Sequence, residues 1–173
     1  MHKLIHRFAD CRLLVIGDLM IDEYVWGDVD RISPEAPVQV VSVIREDLTL
    51  GGAGNVVNNL RALGAQVSVA GVVGTAADGD RLIDMFNGLQ VDGRGVVQEA
   101  ERPTTRKTRI IASNQHVLRV DRETKREISG ASFDRLVAFM ETVMPDIDIA
   151  VSYTHLTLPT KIKWCRSRWS PYH

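Results

Sequence analysis

Apolar positions along the chain fall into short β-branched runs and longer stretches with helical spacing. "CRLLVIGDLMID" begins with a short β-branched run that predicts a buried strand. "APVQVVSVIRE" alternates more and predicts a second, half-exposed strand. Val56, Val57, Leu60 and Leu63 form a stripe that predicts a helix over positions 55–63, closed by Gly64. "QVSVAGVVG" predicts another buried strand, and "AADGDRLIDMFNGLQV" an amphipathic helix through Leu82, Ile83, Phe86 and Leu89. "TRKTRIIAS" and "QHVLRVDRE" alternate as strands and meet at Ser113-Asn114, a hairpin signal. "SGASFDRLVAFMETVM" then predicts a helix with a Ser or Gly start, and "DIDIAVS" a last strand. The order implies an α/β fold: a parallel sheet with a small β appendage.

Composition narrows the class. The chain has 173 residues, 45% hydrophobic and 25% charged, as in a globular domain with one core. No apolar stretch reaches the ~18 residues of a membrane span, and "MHKLIHRFADCRLLVIGD" lacks the form of a secretory signal, so no membrane partner is expected. Two distant cysteines, Cys11 and Cys165, make no disulfide framework, and a cytoplasmic location is the default expectation. A net charge of −1 gives no reason to expect nucleic acid. His2 and His6 have no metal-ligand spacing.

Chemistry concentrates in "LTLGGAGNVVNNLRALGA". Glycines ahead of a helix let backbone approach a ligand closely, and the helix offers unpaired N–H groups at a positive dipole end. Asn55 can cap that helix or turn its carboxamide to a ligand hydroxyl. The segment suits a polyol or an anion; a tight strand-to-helix turn that needs glycine only for packing fits it equally. No Gly-Lys-Ser/Thr follows, so it is no P-loop. In "VIGDLMIDEYVWG", Asp18 and Asp22 fall where the first strand is expected to end, the ligand edge of an α/β sheet. Asp18 reads as a turn cap. Asp22, beside the glycine motif, reads as a carboxylate that accepts hydrogen bonds from sugar hydroxyls.

"GDLMIDEYVWGDVDRISPEAPVQVV", "GGAGNVVNNLRALGA" and "RPTTRKTRIIASNQHVLRVDRE", in that order, resemble the N-terminal half of ribokinase-type (PfkB) sugar kinases over about residues 10 to 150. "RISPEAPV" and "TTRKTRI…NQ" resemble the subgroup that phosphorylates heptose 7-phosphate in ADP-heptose synthesis for lipopolysaccharide. The resemblance implies a ribokinase-like, Rossmann-type parallel sheet with a small β-lid, truncated. It implies that Asp22 holds sugar hydroxyls and that Gly51, Gly52 and Asn55 form the sugar-binding diglycine motif. Strands around positions 24–29, 38–44, 106–112 and 116–120 would form the lid, which often pairs two subunits into a homodimer. Lys107 and Arg109 share one face of a lid strand by alternation, and in this subgroup that face would meet the sugar's phosphate. Solvated cross-strand pairing is the alternative for Arg109, Arg119 and Asp121. His116 stands where the subgroup has glutamine, and no role follows for it.

The implied reaction transfers the γ-phosphate of Mg²⁺-ATP to a sugar hydroxyl, with a general base and anion donors. In the family these lie in the C-terminal half, on a "GAGD"-type turn that this sequence lacks; "GGAGN" has asparagine in the aspartate's place. No catalytic residue and no metal ligand is therefore assigned. The chain is expected to hold the acceptor half of the site and to be inactive alone. Another PfkB sugar or nucleoside kinase, or a non-catalytic sugar-phosphate-binding or dimerisation module, are the alternatives.

The remainder, "VSYTHLTLPTKIKWCRSRWSPYH", has no acid and no periodicity, and carries two of the three tryptophans. Its first ten residues can be spelled GTC TCT TAT ACA CAT CTG ACG CTG CCG ACG, which resembles a transposon end used in library preparation; its last ten can be spelled as the adapter that follows. Two units are thus expected: residues 1–150 from the kinase domain, and 151–173 as a non-native, loosely packed tail.

Overall fold

The computed structural model of the chain describes residues 6–153. In chain order the strands are β1 (Arg12–Gly17), β2 (Leu19–Ile32), β3 (Gln39–Gly52), β4 (Gln66–Gly74), β5 (Asp92–Glu99), β6 (Thr105–Ala112), β7 (Gln115–Arg122) and β8 (Ile149–Tyr153). The helices are α1 (Ala53–Ala62), α2 (Ala77–Gly88) and α3 (Gly130–Val143). Two four-stranded sheets result. The first, ordered β5-β4-β1-β8, is parallel throughout. The second, ordered β3-β2-β6-β7, is mixed, with β2 parallel to β6 and antiparallel to β3, and β6 antiparallel to β7.

Alternation along β1 and β4 sorts the core into two layers. Leu13, Val15, Val67, Val69 and Val73 point to one face, where Val57 of α1 and Leu82 and Phe86 of α2 cover them. Leu14 and Ala70 point to the other, against Leu136, Met140 and Val143 of α3. Full burial of a Leu or Phe side chain contributes about 1.5–3 kcal/mol, so these two layers carry most of the stability. Leu19, Ile21 and Leu50, at the root of the second sheet, join the first layer and bind that sheet to the body.

Local chemistry sets the ends. α1 ends in a Schellman arrangement, with Gly64 at φ 91°, Gly64 N–H donating to Arg61 O at 2.9 Å and Ala65 N–H to Leu60 O at 3.1 Å. Ser129 caps α3 by accepting from Ser132 N–H at 3.2 Å. Ser113 and Asn114 turn β6 into β7 with φ 48° and 62°, the left-handed pair of a two-residue hairpin.

Four sequence expectations change. "CRLLVIGDLMID" is two strands in two sheets, broken at Asp18, so Asp22 is not at the exit of the first strand but inside β2. The appendage is not small, since β2 and β3 each run 14 residues. β5 was not expected at all. The loose packing expected from position 151 does not begin there: β8 continues through Tyr153 in register with β1, pairing Val151 with Val15 and Tyr153 with Gly17. The rest of the expected tail, 154–173, lies outside the described residues.

Candidate functional site

The site grows from the single residue between β1 and β2. Asp18 N–H donates to Tyr153 O at 3.0 Å, and Asp18 O accepts from Ala53 N–H at 3.0 Å. One backbone unit thus ties the carboxyl edge of the parallel sheet to the start of α1, the edge at which open α/β sheets bind ligands. The entry to α1 needs glycine. Gly52 has φ 56°, and a Cβ there would lie 2.6 Å from Asp18 O. No side chain caps α1 at Gly52. Asn55 is exposed in the first helical turn rather than at the cap, so of the two roles open to it capping is removed.

β2 and its neighbours carry two polar faces. On one, Asp22 lies beside Thr49 of β3 and Lys107 of β6 in register. Its Oδ1 accepts from Arg109 Nη1 at 2.7 Å, and the Arg109 guanidinium sits 5.3 Å over the Tyr24 ring. A Cβ on Gly51 would come within 2.8 Å of the Asp22 carboxyl, so glycine at 51 leaves the room that Asp22 occupies. Lys107 Nζ donates to Asp121 Oδ2 at 3.2 Å and to Glu123 Oε2 at 3.0 Å. Arg119 forks onto both oxygens of Asp121 at 2.9 and 3.0 Å. Lys107 and Arg109 do share a face, as alternation requires, and both are paired with carboxylates.

These pairs bias protonation. The hydrogen bond to Asp22 raises the Arg109 pKa against the effect of burial. Burial pulls the Lys107 pKa down, but Glu123 and Asp121 together more than offset it, and the net shift is upward. At Asp121 burial acts upward and is overcome by Arg119 and Lys107, so its carboxyl falls below its ordinary value.

The other face of β2 turns to the body. Glu23, only 5% exposed, accepts from Arg106 Nε at 3.0 Å, from the second arm of the same guanidinium, and from the Thr108 hydroxyl. Arg106 Nη1 also reaches both oxygens of Asp78, in the first turn of α2, at 3.1 and 3.3 Å. Glu23, Arg106 and Asp78 therefore clamp the second sheet to α2. Sequence reasoning named none of them, nor Asp121 and Glu123 as the partners of Lys107. The signals were the adjacent acids Asp22-Glu23 and the alternating cations of "TRKTRI".

Away from the glycine motif, at the tip of the second sheet, Trp26, Gly27, Ile44, Arg45, Ile111 and Asn114 line an open cleft of about 320 Å³. Among the described residues no three His, Cys, Asp or Glu converge as metal ligands, and no helix is long and apolar enough to cross a membrane.

A helix-flanked parallel sheet whose first strand passes directly into a β-sheet cover, with a double glycine at the return, is the ribokinase-like fold. Ribokinase from Giardia lamblia superposes with a TM-score of 0.60 at 18% identity, over 82% of this chain and 44% of that one. Arabidopsis thaliana ribokinase, solved with ribose and ATP, superposes at 0.53 with 16% identity, over 72% and 42%. Residues 11–144 match the pfkB family carbohydrate kinases, and the chain belongs to that family. It is 54% identical over 145 residues to the bifunctional protein HldE of Desulfatibacillum aliphaticivorans, covering 84% of this chain and 30% of the relative. It is 49% identical over 154 residues to the protein of the same name from Trichlorobacter lovleyi, covering 89% and 31%. The chain thus spans about a third of the length of the curated relatives it matches.

Proposed function

We propose that this chain is the acceptor-binding half of a cytoplasmic kinase that transfers the γ-phosphate of ATP to the anomeric hydroxyl of D-glycero-D-manno-heptose 7-phosphate. The carrying observation is the juxtaposition of Asp22 with Gly51 on one side and with Lys107 on the next strand. A carboxylate suited to sugar hydroxyls and a cation suited to a phosphate then lie one strand spacing apart, about 5 Å, which is within one phosphorylated sugar. Family membership supports a carbohydrate acceptor, and the HldE relatives support the heptose subgroup that "RISPEAPV" and "TTRKTRI" resemble.

In this reading Asp22 accepts hydrogen bonds from two adjacent hydroxyls of the sugar. Gly51 and Gly52 bring backbone close to the ring, and Asn55 turns its exposed carboxamide to a further hydroxyl. Lys107 and Arg109 fix the far end of the acceptor by its phosphate. When bound, Mg²⁺-ATP supplies the transferred phosphoryl group and the charge neutralisation of its oxygens. The described residues do not fit it: they bring together no metal-ligand set, and the "GAGD"-type turn is absent from the sequence. In this reading the base and nucleotide pocket lie outside the described residues, and the second sheet serves as lid and homodimer surface.

Two measurements test this. Residues 1–173 alone should consume no ATP with heptose 7-phosphate; turnover above background would place a transfer site in this half. In the full-length enzyme, Lys107→Met should weaken phosphorylated acceptors and spare unphosphorylated ones. Equal losses for both would remove the phosphate role of the lid cations, and favour another PfkB sugar kinase or a plain binding module.

A further inference from the structure

We propose that Asp121 and Glu123 set how tightly the acceptor's phosphate binds, by holding Lys107 as internal stand-ins for it, so that the phosphate binds by displacing them. This rests on the proposed role of Lys107 toward a phosphorylated sugar and adds two residues to it.

Charge on this face is balanced. Asp22 holds Arg109, Asp121 holds Arg119, and Asp121 with Glu123 holds Lys107. Three cations meet three carboxylates, so the face has no surplus positive charge for a phosphate monoester carrying about −1.5 to −2. An ammonium has three donors and no acceptor; two of the three on Lys107 are already taken by carboxylate oxygens at 3.2 and 3.0 Å. An incoming phosphate must compete for the same N–H groups and lies beside like charges while it does so, a juxtaposition that disfavours binding.

The arrangement allows that exchange without stranding a charge. Asp121 keeps both hydrogen bonds from Arg119 when Lys107 turns away. Glu123 lies just past the end of β7 and outside any regular element, so its carboxylate can swing to water without breaking a sheet bond. Arg109 is placed differently: its partner Asp22 is the carboxylate proposed for the sugar, so it stays engaged through Asp22 and offers its remaining donors. A sugar without phosphate has nothing to put on Lys107 in exchange, and the lysine then stays closed on its carboxylates. Asp121 and Glu123 act through Lys107 and touch no reacting atom.

The test is calorimetric titration of the full-length enzyme with heptose 7-phosphate, unphosphorylated heptose and inorganic phosphate. The variants are Asp121→Asn with Glu123→Gln, Glu123→Gln alone, and Lys107→Met. The double variant should bind heptose 7-phosphate and inorganic phosphate on the order of tenfold more tightly, and leave unphosphorylated heptose unchanged. Glu123→Gln, outside the strand and nearly isosteric, should give the same pattern at smaller size, and serves where the double variant folds poorly. Unchanged or weaker phosphate-ester binding in both carboxylate variants, with Lys107→Met still losing it, overturns the exchange and leaves the function standing. If Lys107→Met also leaves heptose 7-phosphate binding intact, the reading beneath it fails as well.

Discussion

Asp22 and Glu23 are neighbours in sequence, carry the same charge and each pair with an arginine of β6, yet they belong to different parts of the molecule. Alternation puts them on opposite faces of β2. Glu23 faces the body, is almost wholly buried, and shares Arg106 with Asp78 of α2. Asp22 faces away from α2, against Gly51, and its pair with Arg109 keeps about a fifth of each side chain exposed. The Glu23 pair gives up most of its water and must be satisfied internally. The Asp22 pair keeps enough access to trade partners. One face of the sheet anchors and the other is the one proposed to recognise the acceptor, and the geometry around each carboxylate, not its residue type, sets them apart.

The largest effect should come from breaking the anchor. Arg106→Met leaves Glu23 buried with its charge unpaired and Asp78 with only its 3.8 Å ion pair to Arg81, a change that costs about 3–5 kcal/mol in stability. The denaturation midpoint of the full-length enzyme measures it. A loss under about 1 kcal/mol would mean that water reaches Glu23 and that the two faces are alike.

Next comes recognition. Asp22→Ala should weaken acceptor binding by about 1.5–3 kcal/mol, roughly tenfold or more, with ATP binding nearly unchanged. Equal loss for both ligands would make Asp22 another structural residue.

Acid sharpens the contrast without changing the shape of the fold. The Arg106 hydrogen bond holds the Glu23 carboxyl below its ordinary value against the upward push of burial, and Thr108 adds to the lowering. A carboxyl depressed in the folded state stabilises it fully above the unfolded value, near 4.3, and loses that contribution as pH falls through the folded value. Unfolding free energy should therefore decline with acid below about pH 5, and Glu23→Gln should flatten that limb. An unchanged slope in Glu23→Gln would assign the acid sensitivity elsewhere.

Much of this was legible in the chain and some could not be. "QVSVAGVVG" is β4 to the residue, and Ser113-Asn114 turns as its chemistry demands, because both signals are local. The diglycine was legible too, though not its division of labour: Gly52 for a positive φ, Gly51 for room beside Asp22. β5 was hidden in part because one of its two glycines, Gly95, answers to a distant residue. A Cβ on Gly95 would lie 2.5 Å from the Phe139 ring, so glycine is required there, where α3 presses on the strand. The break at Asp18 was hidden because "LLVIGDLMID" stays apolar while passing from one sheet to the other. Alternation showed that Lys107 and Arg109 share a face, but not that Asp121, Glu123 and Asp22 were already seated on them.

The smallest expected effect is the one that isolates the comparison most cleanly. Arg109→Met removes a guanidinium from Asp22 on the open face, as Arg106→Met does from Glu23 on the closed one. Asp22 remains within reach of solvent, so water replaces the lost donor and the pair's contribution is about 0–1 kcal/mol. The contact with Tyr24 adds about 0.5–1 kcal/mol, part of which the methionine restores by lying over the same ring. The denaturation midpoint should therefore move little, while affinity for heptose 7-phosphate falls because the phosphate loses the Arg109 donors and Asp22 the neighbour that orients it. A stability loss matching that of Arg106→Met would show that both arginines are anchors. Unchanged affinity would leave the recognition face to Asp22 and Lys107.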